Sequence, residues 1–277
     1  MLYSLRERIP IEQPVWITSV NNALANTFLR QGEWRLALGS LDQILELIPS
    51  ASKYEVETKF NFSDEQMALS VLIAAYSCEV LSRQGRALLQ VGALPEAEER
   101  FGRAKMNWIN ATQASGTMSP ELERVSIVQI VPPLLDVNQG LLHFANGNCE
   151  QALESFKRAT DQLRKQDMLC PKYRVDDWIG PTIAAPRPRD ALYTECINNM
   201  GLCALYTCRM HEAVQLMEGL VREDPTAFLS ERLAFNLCTL YELGYDSAAS
   251  ARKKRVLQLI GKRFFLHDVG PESFRVT

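Results

Sequence analysis

Apolar positions along this chain recur at intervals of three and four, and they come in paired runs separated by a glycine. Leu24, Ala25 and Phe28 form one run, Gly32 interrupts, and Ala37, Leu41 and Ile44 form the next, with Trp34 placed to pack beneath the turn. The same alternation returns at Gly85, Leu88, Gly92, Leu94, Ala97, Phe101 and Ala104, and again at Gly140, Gly147, Ala152, Phe156 and Ala159. A further run carries Gly201, Ala213, Met217 and Pro225, followed by Leu233, Leu237, Leu240 and Tyr241. Spacings of three and four place these residues on one stripe of a helix, so the pattern predicts an all-α chain built from helical pairs. The most apolar run, Met67 to Leu81, is too short to span a bilayer and carries Glu79, which predicts a buried helix.

The paired runs share one small residue per helix. Two antiparallel helices approach closely only where a small residue on each sits at their crossing, and Gly201 and Ala213 supply those surfaces in the clearest unit. Its spacing, with Met217 four residues after Ala213 and Pro225 closing, fits the tetratricopeptide pattern W-x2-L-G-x2-Y, A-x3-F, P. The sequence is therefore expected to form a tetratricopeptide-repeat (TPR) right-handed α-solenoid as a single array over 1–277. The repeats fall at about 18–51, 78–111, 133–166 and 194–227, with a terminal helix pair at about 228–262.

The array is not regular. The second-helix alanines 37, 97, 152 and 213 are separated by 60, 55 and 61 residues, against a repeat period of 34. Long insertions between repeats take up the difference. The first begins near Ser52 as a polar loop after Pro49 closes repeat one; Ser63-Asp64-Glu65-Gln66 then reads as a capping box, so that much of the insertion lengthens the next helix. In the second, Ser119 caps a helix that Pro120 opens, and Pro132-Pro133 are expected to break or kink it before Leu134. The third, about 167–190, holds Pro171, Gly180, Pro181, Pro186 and Pro188 and is expected to be irregular; its Tyr173, Trp178 and Ile179 are unusual for a solvated loop. After Pro225 one helix is expected from Thr226 to Leu243, then another from about Ser247 to Ile260.

Charge narrows the function classes. The formal charge is -3, which disfavours general nucleic-acid binding. The segment 244–277 nonetheless carries +4 and the rest -7, and the basic run is Arg252-Lys253-Lys254-Arg255. A solvated outer face on a terminal helix accounts for such a run, and an acidic partner or anionic surface is the alternative. The seven cysteines form no C-x-x-C pair, and several occupy small apolar helix positions, as expected of buried thiols in a reducing, cytoplasmic setting. Met1 to Pro10 lacks the apolar core of a signal peptide.

Chemistry is sparse. The sequence holds no Walker loop, H-E-x-x-H or G-x-S-x-G. His143, His211 and His267 are far apart; His211 follows Cys208 by three residues without a second ligand pair. Asp176-Asp177 beside Trp178 has no base or nucleophile nearby. No catalytic residue, cofactor, metal or direct small-molecule substrate is expected.

The runs I-N-N-M-G-L-C-A-L-Y, M-E-G-L-V-R-E-D-P and L-A-F-N-L-C-T-L-Y-E-L, over about Ala191 to Leu243, resemble the C-terminal repeats of the subunit-12 family of the transport protein particle, TRAPP. The resemblance implies a non-catalytic scaffold in a vesicle tethering complex whose other subunits perform Rab nucleotide exchange. It implies protein partners, the large arm subunits among them, in endoplasmic reticulum to Golgi transport and autophagy. It allows peripheral membrane association through the complex, at the early secretory pathway or Golgi. For the partner surface the residues themselves suggest a row. Asn138, Asn199 and Asn236 each lie two residues before the small position of a first helix, about 200° around from it, and so toward a concave groove. Trp178 and the Arg252 to Arg255 run are the other candidates. Two alternatives remain: a chaperone-type adaptor clamping a C-terminal carboxylate, disfavoured because the clamp positions hold Asn and apolar residues, and an enzyme or regulator with a site in 167–193.

Overall fold

The computed structural model describes residues 14–59, 64–115, 118–169, 189–267 and 269–275, and every regular element among them is helical. In order these are α1 (Pro14–Gln31), α2 (Trp34–Lys59), α3 (Glu65–Gln90), α4 (Leu94–Ser115), α5 (Pro120–Glu123), α6 (Ser126–Ala145), α7 (Cys149–Leu169), α8 (Arg189–Tyr206), α9 (Met210–Glu223), α10 (Pro225–Phe228), α11 (Glu231–Gly244) and α12 (Ser247–Arg263). A 3₁₀ turn, Pro271–Phe274, follows. The chain divides into two compact units, one of residues 1–142 and 164–186, the other of 143–163 and 187–277.

Four two-helix connections share one backbone device. Gly32, Gly92 and Gly147 adopt φ of 76°, 78° and 78°, and Cys208 takes the same place with φ 61°. At each, the next amide reaches five residues back: Glu33 to the Phe28 carbonyl (2.9 Å), Ala93 to Leu88 (3.0 Å), Asn148 to His143 (2.8 Å) and Arg209 to Ala204 (2.7 Å). These left-handed caps satisfy otherwise orphaned carbonyls and reverse the chain within three residues.

In the first unit α1 and α2 pair through Leu24, Phe28 and Ala37. α2 packs on α3, and α3 on α4. The crossing of α3 and α4 is tight: a Cβ on Gly85 would lie 2.4 Å from the Phe101 ring. Asp64 caps α3 by accepting from the Met67 amide (3.0 Å). The apolar run from Met67 to Leu81 lies within α3, where Val71, Leu72, Ala75, Val80 and Leu81 are buried.

Neither Pro49 nor Pro132-Pro133 ends its helix. Pro49 lies inside α2, which continues to Lys59 in place of the expected polar loop, and Pro132-Pro133 lie inside α6. A proline costs a helix interior roughly 3 kcal/mol, whereas burying one large aliphatic side chain returns roughly 1.5–3 kcal/mol. Ala51 and Val56 beyond Pro49, and Leu134 and Val137 beyond Pro133, are buried and hold the helix through the lost hydrogen bonds. By contrast Ser119 caps α5 with Pro120 first, as the sequence reads, but that helix stops at Glu123 and α6 begins anew at Ser126, so it does not run on to Pro132 as expected.

In the second unit α8 and α9 cross where a Cβ on Gly201 would meet Met217 Cε at 2.5 Å and the Ala213 carbonyl at 3.5 Å. α9 packs on α11, and α11 on α12 and the 3₁₀ turn. The single helix expected from Thr226 to Leu243 is interrupted. Asp224 caps the short α10, Leu229 turns extended and is buried, and Ser230 starts α11 by accepting from the Leu233 amide (3.3 Å). Asp246 caps α12 the same way through Ala248 and Ala249 (both 2.9 Å).

Candidate interaction surfaces

The asparagine positions of the sequence do carry a repeated interaction, but an internal one. Asn138 is buried, and its Nδ2 donates to Ser82 Oγ at 2.7 Å, joining α6 to α3. Asn236 Nδ2 donates to Asn198 Oδ1 at 2.8 Å, joining α11 to α8. Arg83 occupies the equivalent position of α3 and donates to Asn22 Oδ1 (2.6 Å) and Asn26 Oδ1 (2.5 Å) of α1. In each case the donor lies two residues before the small position of its own first helix. The acceptors Ser82, Asn198 and Asn22 lie three residues before Gly85, Gly201 and Ala25 of the preceding one. Turning 200° from the second helix therefore brings the side chain against the neighbouring first helix, not into an open groove. Asn138 and Asn236 are spent on that contact; Asn199 is half-buried on α8.

The basic run likewise divides. Lys254 is buried, its Nζ pairing with Glu242 and donating to the Arg275 carbonyl at 3.1 Å. Lys253 Nζ donates to Glu218 Oε1 at 2.7 Å and stands 5.0 Å and 4.8 Å from the Tyr241 and Tyr245 ring centres. Only Arg252 and Arg255 of the four are exposed. Glu218 also accepts from Tyr241 Oη (3.0 Å) and Arg222 Nη2 (2.5 Å), so one carboxylate ties α9, α11 and α12 together. Burial acts to raise that carboxyl, but the hydrogen bonds from Lys253 and Tyr241 and the charges of Lys253 and Arg222 outweigh it and hold it below the usual carboxylate range. Burial, with Glu218 beside it, pushes the Tyr241 phenol well up, so it stays a donor. The Lys254 hydrogen bond lowers Glu242, aided by the charges of Lys254 and Arg275. Arg275 completes this corner with its guanidinium on Glu242 Oε2 (3.2 Å) and Thr239 Oγ1 (2.9 Å) and over the Phe235 ring.

No family model matches the chain. It is 26% identical over 179 residues to trafficking protein particle complex subunit 12 of Homo sapiens, and equally so to that of Mus musculus. The match covers 65% of this chain but 18% and 17% of the two relatives, so the chain corresponds to a small part of their length.

Among the described residues no group of three or more His, Cys, Asp or Glu is placed to hold a metal ion, and no helix is long and apolar enough to cross a membrane. His211 is exposed and meets Gln215 at 2.9 Å; His267 is exposed beside Phe265. Cys78, Cys196, Cys203 and Cys238 are buried, with burial pushing the Cys78 and Cys203 thiols up to about 12 and Cys238 to about 11. Cys208 departs from the expectation of burial: it is exposed, because its place is a turn and not a helix face. Trp178 and Asp176-Asp177, with most of the 167–193 segment, lie outside the described residues. The sequence reading missed the Glu218 network. Its signal is legible in hindsight, since Glu218 and Arg222 are one turn apart and face the first turns of a basic helix.

Proposed function

We propose that this chain is a non-catalytic scaffold, a TPR-type α-solenoid segment that serves as a subunit of a TRAPP-type vesicle tethering complex. The observation that carries the reading is the 179-residue similarity to subunit 12 of that complex in two mammals. The recurrence of one left-handed turn, one small-residue crossing and one polar register between first helices supports the repeat assignment. In this reading the chain binds other protein subunits, large arm subunits foremost, on the cytoplasmic face of the early secretory pathway. It joins their work in endoplasmic reticulum to Golgi transport and autophagy without contributing an exchange site. Among the described residues Asn199, Arg252 and Arg255 are the sequence-marked side chains left for a partner, and Trp178, outside them, stays a candidate. The test is affinity purification of the tagged chain from its own cells with identification of stoichiometric partners. Tethering-complex subunits are expected; recovery of chaperones, or of an enzyme's substrates, in their place overturns the reading.

A further inference from the structure

Between α9 and α12 the second unit has a surface pocket of about 310 Å³. Val221, Leu237, Leu257 and Ile260 give it an apolar lining, and Arg222 and Arg252 stand at its edge. Its charged residues are Glu218, Arg222, Arg252 and Lys253, for a formal charge of +2. Glu218 cannot repel an incoming anion strongly, because Tyr241, Lys253 and Arg222 already occupy its two oxygens. The apolar surface does not stop at the pocket. Val256 at its lip is 56% exposed and Leu259, one turn on, is 63% exposed, with exposed Arg255 and Arg263 alongside. A helix that closes a repeat array presents a polar outer face. This one presents a basic-bordered apolar stripe.

We infer that this pocket and stripe form a docking site for a short acidic peptide segment of a partner protein, one bulky apolar side chain filling the pocket and flanking carboxylates meeting Arg222 and Arg252. The volume lies at the low end of side-chain and ligand pockets and suits one or two such groups. Charge decides the flanks, since a +2 site with a satisfied internal carboxylate favours Asp and Glu over neutral or basic neighbours. A second copy of this chain is disfavoured because a two-fold contact would set this patch against itself, cation facing cation. A bilayer is disfavoured because a flat headgroup layer does not enter a concavity between two helices.

The experiment selects a random twelve-residue phage-displayed peptide library on the full 277-residue chain. The expected consensus is a bulky apolar residue flanked by Asp or Glu, and its peptides should lose about tenfold or more in affinity on Val256→Glu and on Arg252→Glu. Both positions are exposed, so unchanged melting curves verify that each variant folds. Failure to obtain an acid-flanked consensus overturns the inference, as does equal binding to either folded variant. Arg252-dependent sedimentation with phosphatidylserine vesicles without peptide enrichment reassigns the patch to a lipid surface. A Val256-dependent dimer without enrichment reassigns it to self-association. The inference rests on the chain being an interaction module; its failure alongside intact co-purification of tethering subunits leaves that wider reading standing.

Discussion

Two glycines at equivalent crossings face different neighbours. At Gly201 the obstructing atom is the terminal methyl of Met217, a side chain with three rotatable bonds, while at Gly85 it is the edge of the buried Phe101 ring. Alanine gains up to about 1 kcal/mol of helix propensity at either site and pays roughly 1–3 kcal/mol where the core cannot yield. Gly85→Ala should therefore lower the melting temperature by several degrees, and Gly201→Ala should leave it within a degree or two. Equal losses would show that Met217 is as rigidly held as the ring. Cys208 is a second contrast, a side chain in a left-handed turn where the other three have glycine. Relief of that strain, roughly 1–2 kcal/mol less the entropic cost of glycine, predicts that Cys208→Gly raises the melting temperature slightly. The small-residue crossings were legible in the sequence because sterics alone dictate them. The asparagine contacts were not, because a rotation about one helix says nothing of which neighbour stands there.

At the level of elements, pairs of first helices are joined by buried polar bonds. Ser82→Ala removes the one partner of Asn138 Nδ2, whose Oδ1 already lacks one, and should cost about 1–3 kcal/mol in a denaturant titration. Replacing both, with Ser82→Ala and Asn138→Leu, should recover most of that loss; a double variant no better than the single would contradict the pairing. The carboxylates of Glu218 and Glu242 join the last three helices and are both depressed from the ordinary 4.5. A depressed carboxyl contributes stability that is full above the unfolded value and lost as pH falls through the folded one. The melting temperature advantage of wild type over Glu218→Gln should thus be present at pH 7 and shrink at pH 3. Helix ends show the same division of legibility. The Ser119 cap is local and was readable, and the box read from Ser63 to Gln66 marks the start of α3 to within a residue, its cap being Asp64, while Pro49 and Pro132-Pro133 lie inside helices held by side chains several residues away whose burial no local pattern displays.

Over the whole molecule, paired helices with one kind of turn recur through both compact units, and likeness to trafficking protein particle complex subunit 12 extends over 65% of the chain. The all-α class and the helix pairs were readable because period, glycine turns and small crossings agree. Within the basic run, Lys253 and Lys254 are engaged by Glu218 and Glu242, a pairing between helices that no local pattern displays, and only folding reveals which cations remain. Membership of a large assembly is the claim on which the functional account stands. It is tested most directly by size-exclusion of an unfractionated lysate of the chain's own cells, with every fraction quantified by mass spectrometry. The account predicts that the chain elutes far ahead of a 277-residue monomer and at a constant ratio to the other tethering subunits across the peak. Elution as a free monomer, or in a high-mass peak whose ratio to those subunits drifts, would contradict it.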